Sequence, residues 1–320
     1  MRSGLMELSG SRIWSKSNRY IGLLIIVIAA YLLVPRFLSY TNVINLVRQT
    51  FLLTLIAYGM ALSMLIGGLD LSLGSVAALS SVLAATFISQ GNVLLGIGVG
   101  LSVGGACGLL NGLLIARFKL PDFIMTFSMM FIARGLAMTY TKGESIYGYP
   151  KSFLWIGKSF IGPVPAPVII SALLLVLLYF LLNRTTFGRN TYAVGVSKEA
   201  ARFSGLSVPR KLAQVYTIGG LLAGLAGLIY IARLNSADAE MGFMWPLEAI
   251  AVCVIGGISF AGGEGNILGL VLGGIVMAII NNCLNLLGIP PRFQDFFVGF
   301  VIILAVTIDH YSKRREATEG

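Results

Sequence analysis

The sequence predicts an all-α polytopic membrane protein of about ten transmembrane helices, with its N and C termini cytoplasmic. Three observations predict it. Of 320 residues, 57% are hydrophobic and only 11% are charged, where a soluble domain carries about 25% charge. The mean hydropathy is +0.88. The apolar residues fall in ten runs, most of which approach the ~20 residues needed to cross the hydrocarbon of a bilayer. So few charges cannot coat a core of this size, and a soluble globular protein is excluded. The 39 glycines show no Gly-X-Y period. They suit membrane helices, where small residues let backbones approach closely.

Residues 1–20 carry Arg2, Arg12, Lys16 and Arg19 and read as a cytoplasmic N-terminal segment. The transmembrane region follows at 21–310, then a cytoplasmic tail at 311–320. The first apolar run, 21–38, has a basic start like a signal peptide. It is long, however, lacks a small-residue cleavage pattern and precedes further spans, which predicts a retained helix. The remaining runs are 47–67, 71–89, 93–116, 123–140, 164–182, 212–232, 247–261, 267–288 and 296–309. The run at 247–261 is too short to cross. It is either a broken or partly inserted helix, or a span that begins among the polar residues before it.

Ten spans place both termini on one side. With that side inside, fifteen Lys and Arg fall in inside segments and seven in outside segments, with Arg134 in the fifth span. This is the positive-inside pattern. Topology therefore accounts for the net charge of +10, and nucleic-acid binding is not needed to explain it. Arg134 is expected to snorkel outward or to pair with an acidic residue. Segment 141–163 is an outside loop rich in Gly, Pro and Tyr. Segment 183–211 is the longest inside segment and is basic.

Gly96, Gly100, Gly104, Gly108 and Gly112 recur every four residues along the fourth span. They form a smooth stripe suited to helix contact within one polypeptide. Gly265, Gly269 and Gly273 repeat the device, as do Gly220 and Gly224. Residues 66–74 faintly echo residues 255–263, either as a weak repeat or as two similar Gly-rich turns.

Reactive constellations are missing. The sequence has no G-x-x-x-x-G-K-[ST] phosphate loop, no H-E-x-x-H and no nucleophile elbow. The lone His310 has no metal-ligand spacing around it. Cys107, Cys253 and Cys283 sit in apolar runs and read as small core residues. The chain is therefore expected to be no enzyme and to bind no cofactor or metal itself. Asp70 lies in a Gly-rich break beside Ser72; it either caps the next helix or serves in gating or substrate contact. Asn111, Asn281 and Asn285 lie within spans, the last two on one helix face. They suit either a pathway for a hydroxyl-rich solute or interhelical hydrogen bonds.

The inside segment holds a short helix candidate. Ser197 is a good N-cap, residues 199–204 are compatible with helix, and Gly205 suits the position after its end. Glu199, Ala200, Ala201, Arg202 and Phe203 give that helix both charge signs, small residues and one aromatic anchor. Such a helix is either a connector or a knob for a groove on a partner protein.

Here the residues resemble a known family, the permease subunits of bacterial ATP-binding-cassette (ABC) importers for monosaccharides of the ribose, xylose and galactose type. The resemblance runs from about Ile21 to Asp309. It is carried by residues 67–75, by Gly188-Arg189 with Ala193-Val194-Gly195, by residues 199–205, by Ile255-Gly256-Gly257 through Ala261-Gly262-Gly263, and by residues 281–288. Trp245-Pro246-Leu247-Glu248 and Glu264 depart from the family's usual pattern. The resemblance implies a bacterial inner-membrane, multi-pass permease for a ribose-like sugar. It implies two permease chains, identical or different, above two cytoplasmic ATPases that hold ATP and Mg, with a periplasmic or lipid-anchored sugar-binding protein docking outside. It also implies that Ser197, Glu199, Ala200, Ala201, Arg202, Phe203 and Gly205 form a coupling helix seated on the ATPase. The competing reading is a secondary transporter or facilitator for a small polar solute, which has no need of such a helix.

Overall fold

The structure is a computed structural model describing residues 22–290, 293–304 and 307. Residues 1–21, His310 and the 311–320 tail lie outside the described residues. Each of the ten apolar runs contains a helix. Six are long and apolar enough to cross a membrane: α2 (Tyr40–Leu65), α4 (Val93–Phe118), α5 (Asp122–Thr141), α7 (Ala166–Arg184), α10 (Val208–Leu234) and α12 (Gly269–Leu286). Four are shorter: α1 (Gly22–Leu33), α3 (Leu73–Ser89), α11 (Trp245–Ile255) and α13 (Phe293–Leu304). Three more, α6 (Lys151–Lys158), α8 (Thr186–Val196) and α9 (Lys198–Phe203), lie in the connections. The first helix stops short of its apolar run because Pro35 and Arg36 turn the chain there.

The run at 247–261 is a broken helix. Trp245-Pro246 starts α11, with proline in the first turn, where its missing N–H costs nothing. The helix ends after 11 residues, about 16 Å of rise, at the Gly256-Gly257 break. The outside connection is not purely helical or irregular, as an all-α reading assumes. Ile146 pairs with Ala237 and Tyr147 with Ser236, joining that loop to the end of α10. Phe160 and Ile161 form a second hairpin with Pro165 and Val164. Strands of two residues are too short to show a period-2 pattern in sequence.

Helix α3 is the centre of the bundle, buried along nearly its whole length against α4, α5 and α10. A helix apolar on every side belongs inside a protein, and the small residues of α3 let its neighbours close in. The glycine stripe of α4 faces inward and packs within this chain. A Cβ on Gly104 would overlap the carbonyl oxygen of Gly220, and one on Gly108 would overlap that of Tyr216. Gly96 and Gly100 meet Ala84 of α3. Gly269 and Gly273 play the same part against Gly256 and Val252 of α11, whereas Gly265 lies in the loop before α12.

Among the described residues, Arg134 forms no ion pair with a carboxylate. It is 9% exposed and donates to the carbonyl oxygens of Ala239 and Met241, the latter at 2.8 Å. Backbone carbonyls left free by the irregular 238–244 loop need donors, and Nη1 of Arg134 supplies both.

The stripe leads to a first prediction. Gly104→Leu and Gly108→Leu each force α4 off α10, at about 1–3 kcal/mol apiece. Gly98→Ala on the exposed face meets nothing within 4 Å and should be neutral. Thermal denaturation of the detergent-purified variants checks this; equal midpoints for Gly104→Leu and wild type would contradict the packing.

Candidate functional site: a polar cavity and an exposed short helix

A cavity of about 360 Å³ opens between α2, α10, α11 and α12. Its polar lining is Gln49, Arg233, Glu248, Asn281, Asn285 and Gln294. Its apolar lining includes Leu52, Leu53 and Ile56 of α2, with Tyr230 and Trp245. The first turn of α11 lies at the cavity and places Trp245 and Glu248 there. A carboxylate in a first turn is favoured by the free N–H groups of the helix start. Asn281 and Asn285, one turn apart on α12, project on the same side. Asn281 Nδ2 donates to Glu248 Oε1 at 3.0 Å, and Gln294 Nε2 donates to Asn285 Oδ1 at 2.9 Å. Tyr230 and Trp245 meet edge-to-face with centroids 4.9 Å apart.

The residues singled out in the sequence as pathway or gating candidates divide into two places. Asn281 and Asn285 share the cavity. Asp70, Ser72 and Asn111 form a separate buried network at the start of α3. Asp70, 1% exposed, accepts from the Ser72 N–H at 3.0 Å and from the Ser72 hydroxyl at 2.6 Å, both on Oδ1. Asn111 Nδ2 donates to Ser72 Oγ at 2.9 Å. This ties the 66–72 break to α4 and holds the turn that starts α3. Glu248, Tyr230, Arg233, Gln49 and Gln294 were missed. They come from different elements, and no spacing in sequence links them; only the Trp245–Glu248 segment stood out, as a departure from a family pattern.

At the other end of the bundle lies α9. Its local signals read true: Ser197 Oγ accepts from the Ala200 N–H at 3.2 Å. Gly205 has φ +82, and the Leu206 N–H closes on the Ala201 carbonyl at 3.0 Å. Only Ala201 of this helix is buried, while Phe203 is 83% exposed. Lys198 reaches Asp122 at the start of α5, 3.5 Å away. A groove of about 380 Å³ runs between α9 and the α4–α5 link, with Lys119, Asp122, Lys198, Glu199 and Arg202 on its walls.

Two helix breaks meet beside the end of α8. Helices α2 and α11 end alike, each in a glycine of positive φ, Gly67 at +76 and Gly257 at +85. The next amide folds back five residues in each, Gly68 to Ser63 at 2.8 Å and Ile258 to Cys253 at 2.9 Å. The echo in sequence aligns Gly67 with Gly256; the cap geometry aligns it with Gly257. The two breaks are joined by the Gly263 N–H donating to the Leu65 carbonyl at 3.0 Å. Gly195, at the end of α8, lies so close that a Cβ there would overlap that same carbonyl. Tyr192 of α8 donates to the Gly265 carbonyl at 3.0 Å, and burial pushes its phenol above the ordinary tyrosine value.

The family model described as "Branched-chain amino acid transport system / permease component" matches residues 42–306. The chain is 41% identical over 300 residues to the ribose import permease protein of Bacillus subtilis, covering 93% of each chain. It is 37% identical to the D-allose transport system permease protein of Escherichia coli, covering 92% of each. It is 34% identical to the galactose/methyl galactoside import permease protein of Haemophilus influenzae, covering 88% of this chain and 90% of that one. No solved structure matches.

The Asp70 network yields a second prediction. Asp70→Asn keeps an acceptor oxygen for Ser72 and should assemble normally, while Asp70→Ala strands both donors and should cost about 1–3 kcal/mol. Thermal midpoints of the purified variants measure the difference. Equal midpoints for Asp70→Ala and wild type would show that the turn does not need the carboxylate.

Proposed function

Because this chain belongs to the family of transport-system permease components that its residues 42–306 match, we propose that it is the transmembrane subunit of an ABC importer that passes a ribose-like monosaccharide across a bacterial inner membrane. The observation that carries this reading is the nearly end-to-end match with ribose, allose and galactose import permeases. The amide-lined cavity supports it, because amides both donate and accept and so suit a neutral hydroxyl-rich solute. A secondary carrier finds no support among these relatives.

In this reading the chain crosses the membrane ten times, with both termini cytoplasmic. The alternation in the structure supports that count: the connections expected inside, at 66–72, 119–122, 185–207 and 256–268, gather at one end, joined by Lys198–Asp122 and by Gly263–Leu65. Those expected outside gather at the other, joined by Ile146–Ala237 and by Tyr149 N–H to Asn235 Oδ1 at 3.0 Å. A second permease chain completes the pathway, and a sugar-binding protein delivers the solute to the outer end. ATP and Mg are held by a separate ATPase, in keeping with a sequence that has no phosphate loop.

Helix α9 is the coupling helix. Its exposed face, with Phe203 as anchor, seats in a groove of the ATPase. Movement there passes by two routes. One runs through Lys198 and Asp122 to α5. The other runs through Gly195 to the joined ends of α2 and α11, the helices that wall the cavity. ATPase closure thus changes the cavity's access from one side to the other.

Two experiments test this. An affinity-tagged chain should co-purify with a nucleotide-hydrolysing subunit, and vesicles carrying the chain alone should not accumulate ribose. In the full complex, Glu199→Lys and Gly205→Pro should leave ATP hydrolysis and uptake uncoupled, with ribose moved per ATP reduced at least tenfold. Proline, held near φ −65°, cannot take the left-handed backbone that ends α9. Normal coupling in both variants would remove α9 from this role.

A further inference from the structure

The cavity between α2, α10, α11 and α12 holds acceptors that the protein does not use. Glu248 accepts one bond, from Asn281 Nδ2 at 3.0 Å. Among the described residues it forms no ion pair; the one there is joins Lys198 to Asp122. A carboxylate offers about four lone-pair sites, so most of its accepting capacity is open. Asn281, on the same wall, spends its Nδ2 on Glu248 and so fixes that carboxylate at the cavity. Arg233 on the opposing end of α10 and Gln49 on α2 supply donors to the same space. The edge-to-face Tyr230–Trp245 pair makes a rigid aromatic flank.

We propose that this cavity is itself a selective sugar subsite, in which Glu248, held in place by Asn281, accepts hydrogen bonds from adjacent hydroxyls of one sugar ring. The proposal rests on the reading of the chain as a sugar permease. It goes further in placing selection inside the membrane chain as well as in the binding protein.

The chemistry follows from the inventory of groups. Neighbouring ring hydroxyls are paired donors, and the two oxygens of Glu248 can accept from both. Each hydroxyl also accepts, which answers Arg233 and Gln49. One cationic and one anionic side chain line the space, so it carries no net charge for a neutral ligand to offset. The volume of about 360 Å³ lies at the low end of the ~300–1,000 Å³ found for small-molecule sites. That suits a single ring and not a longer oligosaccharide. A buried acceptor without a donor costs about 1–3 kcal/mol, so an analogue lacking a hydroxyl leaves such an acceptor empty and is disfavoured.

A branched-chain amino acid is the competing occupant, with its carboxylate at Arg233, its ammonium at Glu248 and its side chain against Leu52, Leu53 and Ile56. The complete importer, reconstituted in vesicles with its ATPase and binding protein, separates the two. Uptake of radiolabelled D-ribose and of leucine is measured together with ATP hydrolysis, for wild type, Glu248→Gln and Asn281→Ala, with Gly98→Ala as the remote control. Ribose moved per ATP should fall about tenfold in Glu248→Gln and severalfold in Asn281→Ala, and stay at the wild-type ratio in Gly98→Ala. Wild-type ratios in both cavity variants would overturn the subsite and leave the permease reading intact. Leucine uptake without ribose uptake by wild type would overturn the sugar reading itself. If Glu248→Gln fails to assemble, as judged by elution and thermal midpoint, Asn281→Ala decides alone.

Discussion

The close approach of α4 to α10 is the constraint on which the rest of the bundle depends. Their glycines bring backbone against backbone, with no room for a Cβ at Gly104, Gly108 or Gly220. Lipid tails are as apolar as leucine, so membrane helices associate through packing and polar contacts more than through water exclusion. A smooth seam between two long helices supplies that packing. It also closes one side of the compartment that holds α3. A helix of 17 residues with buried Ser75, Ser80 and Ser81 is poorly suited to face lipid, and it is sheltered here by α4, α5 and α10.

The second organising feature is the handling of helix ends inside the protein. Backbone groups that leave a helix where they are buried must find partners within the protein. The ends of α2 and α11 meet this need with folded-back caps and with a bond between the two breaks. Asp70 does it for the start of α3, and Arg134 for the 238–244 loop. The same irregular segments shape the candidate site. The first turn of α11 lines the cavity, and the other end of that helix joins α2 beside Gly195 of α8.

The two candidate surfaces were legible in the sequence to different degrees. Helix α9 was readable almost residue by residue. Ser197 and Gly205 act on their own neighbours through capping and positive φ, and such local physics is written in adjacent residues. The cavity was readable only in half. Asn281 and Asn285 are a turn apart and share a face by helix geometry alone. Glu248, Tyr230 and Arg233 join them through the crossing of three helices, which adjacent residues do not encode. Asp70 and Ser72 were candidates in the sequence as well, yet they belong to another end of the bundle.

By itself, then, the sequence determined the apolar character of the chain, the number of apolar runs, the placing of charges between them and the small helix between the sixth and seventh. Those properties follow from composition, from charge placement and from contacts a few residues apart. The tertiary structure alone decided that the α4 stripe faces α10, that Arg134 serves carbonyls, and which polar groups share a cavity. Each of these depends on how helices distant in the chain cross one another, and a single backbone approach of a few ångströms settles it.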